Sequence, residues 1–269
     1  MNLNQLIKPL SEIVSTAGKA ILEIYNSDFL VTTKNDQSPL TKADLRSHHI
    51  IVDGLKDITP SIPIISEENP LQSFNERRQW GEYWIIDPLD GTKEFIKKNG
   101  EFTVNIALIR NHKALLGIVH VPVTQKTYIG CEGLGAQILS PSHEPKKISV
   151  CNKINQPLRI VGSRSHRGKS LDKFLSQIDE FELQPVGSSL KFCLIAEGSA
   201  DIYPRFGPTS EWDTAAAQAV VEQAGGLVLK INGEPLLYNT KENILNPDFV
   251  VINSQIHKQL FVENYNNTK

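Results

Sequence analysis

The stretch Trp84-Ile85-Ile86-Asp87-Pro88-Leu89-Asp90-Gly91-Thr92-Lys93-Glu94-Phe95 decides how the chain reads. Tyr83 to Ile86 predicts a buried strand, a setting hostile to unpaired charge. Yet the strand runs directly into two aspartates around Pro88. Open α/β sheets place ligands at strand ends, so acids at such positions are informative. The preceding predicted strand, Ile62 to Ile65, ends in Ser66-Glu67-Glu68. If the two strands are neighbours, three or four carboxylates converge, and such a group is stable only when cations neutralise it. An all-oxygen set without His or Cys selects a hard ion, Mg²⁺ or Mn²⁺, over zinc. Taken singly, Asp87 reads as a turn acid before Pro88 and Glu67 as a surface acid; only together do they carry the metal reading. Gly91 permits a tight turn and Thr92 brings a hydroxyl, so N–H groups opening a short helix could cradle a phosphate beside the metals. The rival is an ordinary Asp-Gly turn.

On the N-terminal side, Leu3, Leu6, Ile7, Leu10, Ile13, Val14, Ala17, Ile21 and Ile24 recur at three- and four-residue steps and predict an amphipathic helix. A second helix is expected near Thr41, after the turn-rich segment Lys34 to Pro39, with Leu45, His49, Val52 and Leu55 facing inward. Short strands follow at Val104 to Ile109, Leu115 to Val121, Thr127 to Gly130 and Ala136 to Leu139. The polar stretch Ser140 to Lys147, with two prolines, reads as a linker, and a boundary near residue 150 divides the chain into segments 1–150 and 151–269. Beyond it strand and helix alternate: strands Arg159 to Val161, Phe181 to Val186, Asp201 to Tyr203, Leu227 to Ile231 and Phe249 to Ile252. The helices are Leu171 to Ile178, Leu190 to Glu197, Trp212 to Ala224 and a last one from Gln255.

With 269 residues, 40% hydrophobic and 22% charged, the chain has the composition of a soluble globular protein. A formal net charge of -2 gives no bulk affinity for nucleic acid, so an anionic ligand needs a local basic site. Cys131, Cys151 and Cys193 show no zinc or redox spacing and read as free thiols of a reducing cytosol, Cys193 lying in an apolar run. No signal peptide or run of apolar residues long enough to span a bilayer stands out. The expectation is a cytoplasmic protein, with peripheral association at the cytoplasmic face of the inner membrane and the choice between monomer and homodimer left open. His48 and His49 have no partner at metal spacing and read as structural.

Two more acids share a pattern. Thr41-Lys42-Ala43-Asp44 and Ser210-Glu211-Trp212-Asp213 each place Asp three residues after Thr or Ser, the spacing of a capping box. A carboxylate in a first helical turn also sits where a phosphate and a bridging metal can meet the helix N-terminus. With these, Lys34 to Asp44, Ser66 to Glu68, Asp87 to Phe95 and Pro208 to Gly226 stand in one order, and the chain resembles the inositol monophosphatase superfamily of Mg²⁺-dependent, lithium-sensitive phosphatases. The longer strings Asp90 to Ile109 and Gly187 to Thr214 resemble its 3′(2′),5′-bisphosphate nucleotidase branch, which hydrolyses adenosine 3′,5′-bisphosphate to AMP and phosphate. The resemblance implies an α/β fold, an αβαβα sandwich with metals between the halves. It implies Glu67, Asp87, Asp90, Asp213 and the Leu89 carbonyl as metal ligands, with Glu67 preferred over Glu68. It makes Asp44 and Thr92 the pair that orients and deprotonates the attacking water, and the N–H groups of Leu89, Gly91 and Thr92 the phosphate cradle. Two or three Mg²⁺ ions are implied, with Mn²⁺ as substitute and Li⁺ as inhibitor. One departure is Ala217, where many relatives have Gly.

A nucleoside bisphosphate carries a second dianion. Ser188, Ser189 and Lys191 at a helix start and Arg205 at a strand end suit it, with Glu67, Gly91, Thr92 and Asp213 completing the substrate contacts. The bland alternative is an N-cap and two solvated basic side chains. Ser163 to His166 is a weaker candidate for the same pocket. An inositol or sugar-bisphosphate phosphatase, a catalytically silent nucleotide sensor, and action on 3′-phosphoadenosine 5′-phosphosulfate remain open at this level.

Overall fold

The computed structural model describes residues 2–27, 39–153, 155–164, 168–253 and 257–258. Helix α1 (Asn4–Tyr25) and helix α2 (Pro39–Ile58) precede strand β1 (Ile64–Ser66), the short helix α3 (Phe74–Arg77) and strand β2 (Glu82–Asp90). Helix α4 (Thr92–Ile96) leads into a meander of β3 (Thr103–Arg110), β4 (Lys113–Val121), β5 (Lys126–Cys131), β6 (Gly135–Ser140) and β7 (His143–Ile148). These strands form one seven-stranded sheet in sequence order, with only β1 and β2 parallel. Then come β8 (Leu158–Ser163), α5 (Lys169–Leu175), β9 (Phe181–Val186), α6 (Leu190–Ala196) and β10 (Ile202–Arg205). A 3₁₀ turn (Glu211–Asp213), α7 (Ala215–Gln223), β11 (Leu227–Lys230) and β12 (Phe249–Ile252) follow. The second sheet has the order β11-β12-β10-β8-β9.

The period-two alternation of strand side chains builds the layers. Trp84 and Ile86 of β2, with Val104, Ile106 and Leu108 of β3, face α1 and α2. Tyr83, Ile85, Ala107 and Ile109 point the other way, onto α6 and α7, which also receive Tyr203, Phe249 and Val251 from the second sheet. Ile160, Ile202, Val250 and Ile252 turn outward to Leu171, Phe174 and Leu175 of α5. Five layers result, helix-sheet-helix-sheet-helix, with two outer cores and a middle one that encloses both faces of the α6–α7 layer. Each large apolar side chain buried in them stabilises by about 1.5–3 kcal/mol. Trp84 is fully enclosed because its one donor, Nε1–H, finds Thr59 Oγ1 at 2.9 Å.

Helix α7 lies unusually close to the first sheet. Gly117 and Gly130 are cross-strand partners on β4 and β5. A Cβ on either would collide with the α7 main chain, at Ala216 and at Ala219–Val220. The alanine-rich face of α7, Ala215 to Ala219, supplies the matching flatness, and buried Ala217 belongs to it. This contact carries Asp213, just upstream of α7, towards the end of β2.

Several expectations need correction. Ser140 to Lys147 is not a linker: residues 143–148 form β7, the outer strand of the first sheet, antiparallel to β6. Its exposed, lysine- and proline-containing composition is that of an edge strand protected from further pairing, which is why it resembles a loop in sequence. The change of sheet falls between Ile148 and Leu158. Helix α2 begins at Pro39, so Asp44 lies inside it rather than in a first-turn capping position. Its inner face is Ala43, Asp44, Ser47, His48, Ile51, Val52 and Leu55, whereas Leu45 and His49 are exposed. Residues 34–38, most of the turn-rich segment, the expected helix start at Gln255 and His166 lie outside the described residues.

Candidate active site

The parallel pairing of β1 with β2 sets Ser66 beside Ile86, and the ladder continues one step through Glu67 N–H to the Ile86 carbonyl. Glu67 and Asp87 are thereby adjacent, as two neighbouring strands require. Asp87 and Asp90 are three residues apart, which in a regular strand would send them to opposite faces. The register with β3 slips by one residue between them, a bulge that contains Pro88 and brings both carboxylates into the same cavity wall. Asp87 Oδ1 accepts the Leu89 N–H at 3.0 Å, so that N–H is already engaged. That removes Leu89 N–H from the expected phosphate cradle. Gly91, at φ +94°, turns the chain into α4, whose first N–H groups have no partner within the helix.

Asp213 arrives from the opposite side. Its carboxylate accepts Ser210 N–H at 2.8 Å, so the capping geometry expected for Ser210 and Asp213 is realised at the 3₁₀ turn. Beneath that turn Arg77, 1% exposed, donates to the Asn239 side chain and to the Glu242 carbonyl. Asn239 in turn gives its N–H to Glu211 at 2.8 Å. Nothing in the sequence pattern announced this buried arginine.

Glu67, Asp87, Leu89, Asp90, Gly91, Thr92 and Asp213 line one cavity of about 300 Å³. Its other wall holds Ser188, Lys191 and Arg205 with Tyr203, Thr209 and Phe249, and Ser163 also borders it. Glu94, Tyr203, Thr209 and Phe249 were not legible as site residues, because each has an ordinary structural reading in its own segment.

Two expected residues have different partners from those anticipated. Ser189 is 2% exposed, and its N–H and Oγ reach Asp90 Oδ2 at 2.6 and 2.8 Å, with Oγ also 2.9 Å from the Asp213 carbonyl. It holds a proposed metal ligand in place rather than facing substrate. Thr103 and Asn105 reach the same oxygen at 3.4 and 3.5 Å. Asp44 is buried, with Oδ1 unpartnered, and its neighbours are Glu68 and Glu67. It forms no hydrogen bond with Thr92 among the described residues. His48 Nδ1 meets Ser66 Oγ at 2.8 Å, and Ser66 Oγ accepts Glu68 N–H at 3.3 Å, so the histidine props the acidic turn. Cys131 and Cys193 are buried free thiols.

The electrostatics test whether cations fit. Asp87, 1% exposed, is pushed well above the usual carboxylate range by burial and then by Glu67, Asp90, Asp213 and Asp44. Burial, then Glu68 and Glu67, raises Asp44 to about 8; burial raises Glu67 to about 7, with Asp87 opposing and Asp90 and Glu68 adding to the shift. Asp213 reaches about 7 through burial and Asp90. Carboxylates gathered at this cost fit a hard divalent cation. Among the described residues no three His, Cys, Asp or Glu side chains converge on a single point. Across the cavity burial lowers Lys191, 7% exposed, to about 8, with Asp90 opposing the shift.

Five alternating layers with an acidic cluster at the β1–β2 strand ends define a phosphatase architecture, and the comparisons with known proteins agree. The chain belongs to the inositol monophosphatase family, whose model matches residues 2–267. It is 45% identical over 248 residues to the 3′(2′),5′-bisphosphate nucleotidase CysQ of Escherichia coli K12, covering 91% of this chain and 99% of that protein. The CysQ of Haemophilus influenzae is 35% identical over 257 residues, covering 95% and 96%. The crystal structure of CysQ from Bacteroides thetaiotaomicron superposes with a TM-score of 0.83 at 39% identity, over 91% of this chain and 97% of that one.

Proposed function

We propose that the chain is a 3′(2′),5′-bisphosphate nucleotidase that hydrolyses adenosine 3′,5′-bisphosphate to AMP and phosphate. The observation that carries this reading is a single cavity lined by Glu67, Asp87, Asp90 and Asp213 together with Lys191 and Arg205. A phosphomonoester alone needs the acidic wall; a second phosphate gives the cationic wall its purpose. The names of relatives at 35–46% identity over most of the chain support the same substrate class.

Glu67, Asp87, Asp90, Asp213 and the Leu89 carbonyl would hold the metal, read as two or three Mg²⁺ with Mn²⁺ as substitute and Li⁺ as inhibitor. Bound divalent ions supply two things here: an acidified water and charge compensation at the leaving oxygen. The N–H groups of Gly91 and Thr92 orient the phosphate for in-line attack. Asp44, with its unpartnered Oδ1, and Thr92 form the pair that orients and deprotonates the attacking water. Ser189 fixes Asp90, and Ser188, Lys191 and Arg205 receive the remote phosphate. Residues 1–150 contribute most metal ligands, and residues 151–269 contribute Asp213 and the specificity wall. The same site accommodates 3′-phosphoadenosine 5′-phosphosulfate, and the physiological role is recycling of the nucleotide by-product of sulfate assimilation in the cytoplasm. No helix among the described residues is long and apolar enough to cross a membrane.

The test is Arg205→Gln. It should raise KM for adenosine 3′,5′-bisphosphate by about tenfold or more while changing hydrolysis of inositol 1-phosphate by less than about twofold. Equal losses on both substrates would move the reading to an inositol or sugar phosphatase using the same metals.

A further inference from the structure

We propose that Glu101 is a positioning residue that sets affinity for the second phosphate by fixing the distance between the two walls of the cavity. The proposal rests on the bisphosphate reading above. Glu101 lies between α4 and β3, outside the cavity lining. Its Oε2 accepts Gly187 N–H at 2.7 Å and Arg164 Nε at 2.8 Å, and its Oε1 accepts Arg164 Nη2 at 2.6 Å. Arg164, at the end of β8, also donates through Nη2 to the Pro185 carbonyl at 2.7 Å and through its N–H to the Val186 carbonyl at 3.2 Å. Three successive residues before the Ser188 turn are thus gripped from outside the cavity. From within, Lys191 Nζ reaches the carbonyls of Val186 at 3.4 Å and Ser188 at 2.5 Å.

That grip has work to do because Ser188 sits at φ +46°, a left-handed conformation costly for a serine and kept only where surroundings enforce it. The main chain of Glu101 is also the spacer between the two turns. A Cβ on Gly91 would stand 2.9 Å from the Glu101 carbonyl oxygen and 3.2 Å from Ser188 Cβ; one on Gly187 would stand 2.9 Å from the same oxygen. The phosphate cradle at Gly91–Thr92 and the Ser188–Lys191 wall therefore meet across Glu101. A bisphosphate spans both walls, whereas a monoester engages one. The Glu101–Arg164 pair is partly solvent-exposed, at 24% and 38%, so its contribution to global stability is small and its effect is local.

The experiment compares wild type with Glu101→Ala, Arg164→Ala and Glu101→Gln on adenosine 3′,5′-bisphosphate and on 3′-AMP, which lacks the second phosphate. Tm is measured for each variant. Glu101→Ala should raise KM for the bisphosphate about tenfold with kcat within about twofold, and should lower the kcat/KM preference over 3′-AMP by the same factor. Glu101→Gln, whose carbonyl still accepts Gly187 N–H, should recover most of the loss. Parallel losses on both substrates, tracking a lowered Tm, would overturn the proposal in favour of a merely structural pair. A wild-type preference unmoved by Glu101→Ala would overturn the proposal alone. Absence of any wild-type preference would overturn the bisphosphate reading and this proposal with it.

Discussion

Asp87 shows at the scale of one residue why the site needs a cation. It is fully enclosed, keeps one hydrogen bond to Leu89 N–H, and faces four other acids. Asparagine at this position would keep the hydrogen bond and remove the charge. Asp87→Asn should therefore raise the Tm of metal-free protein while lowering kcat by about a thousandfold; thermal melting in EDTA beside a phosphate-release assay checks both. The pH dependence follows with a definite sign. A carboxyl whose folded pKa is raised stabilises fully below its unfolded pKa and loses that contribution as pH rises through the folded value. With Asp44 at about 8 and Glu67 and Asp213 at about 7, metal-free protein should lose stability as pH climbs from about 4 to about 8. In EDTA, Tm at pH 6 should exceed Tm at pH 8, and saturating Mg²⁺ should cancel or reverse the difference. Equal Tm values in EDTA would mean that these carboxyls titrate no higher in the folded protein than in the unfolded chain. His120, buried and lowered to about 4, acts oppositely once pH falls through its unfolded value near 6.5, so at pH 6 it offsets part of the gain from the carboxyls.

Among the elements, α7 does most to assemble the site, since it presses on Gly117 and Gly130 and so places Asp213 opposite β2. Gly130→Ala should destabilise the protein by about 1–3 kcal/mol through overpacking and should reduce kcat by displacing Asp213; urea unfolding and kinetics on one preparation check the pairing. A stability loss with kcat unchanged would detach α7 from the chemistry. The elements also show where sequence reading stopped. Segments such as α1, Phe181–Val186 and Phe249–Ile252 were legible, because burial on one face or both writes itself into the pattern. Strand β7 was not, since an edge strand in water needs no apolar alternation. The inner face of α2 was misplaced because it buries Asp44, Ser47 and His48, polar groups that serve the site and so break the apolar rule. The acids of the cluster could be read from their strand-end positions. The attachment of Ser189 to Asp90 and the buried Arg77 could not, because they depend on contacts 99 and 162 residues apart in sequence.

Across the whole molecule, two sheets sharing a middle helical layer bring an acidic wall and a cationic wall to one cavity. Neither sheet carries both walls, so the reaction depends on the packing between them. The most direct measurement is phosphate release in Mg²⁺ from adenosine 3′,5′-bisphosphate and from inositol 1-phosphate, side by side, with Asp90→Asn as control. A preference for the nucleotide of at least about a hundredfold in kcat/KM, abolished in the variant, is expected. Equal or better turnover of inositol 1-phosphate would contradict it, leaving the acidic wall its chemistry and removing the role given to Lys191 and Arg205.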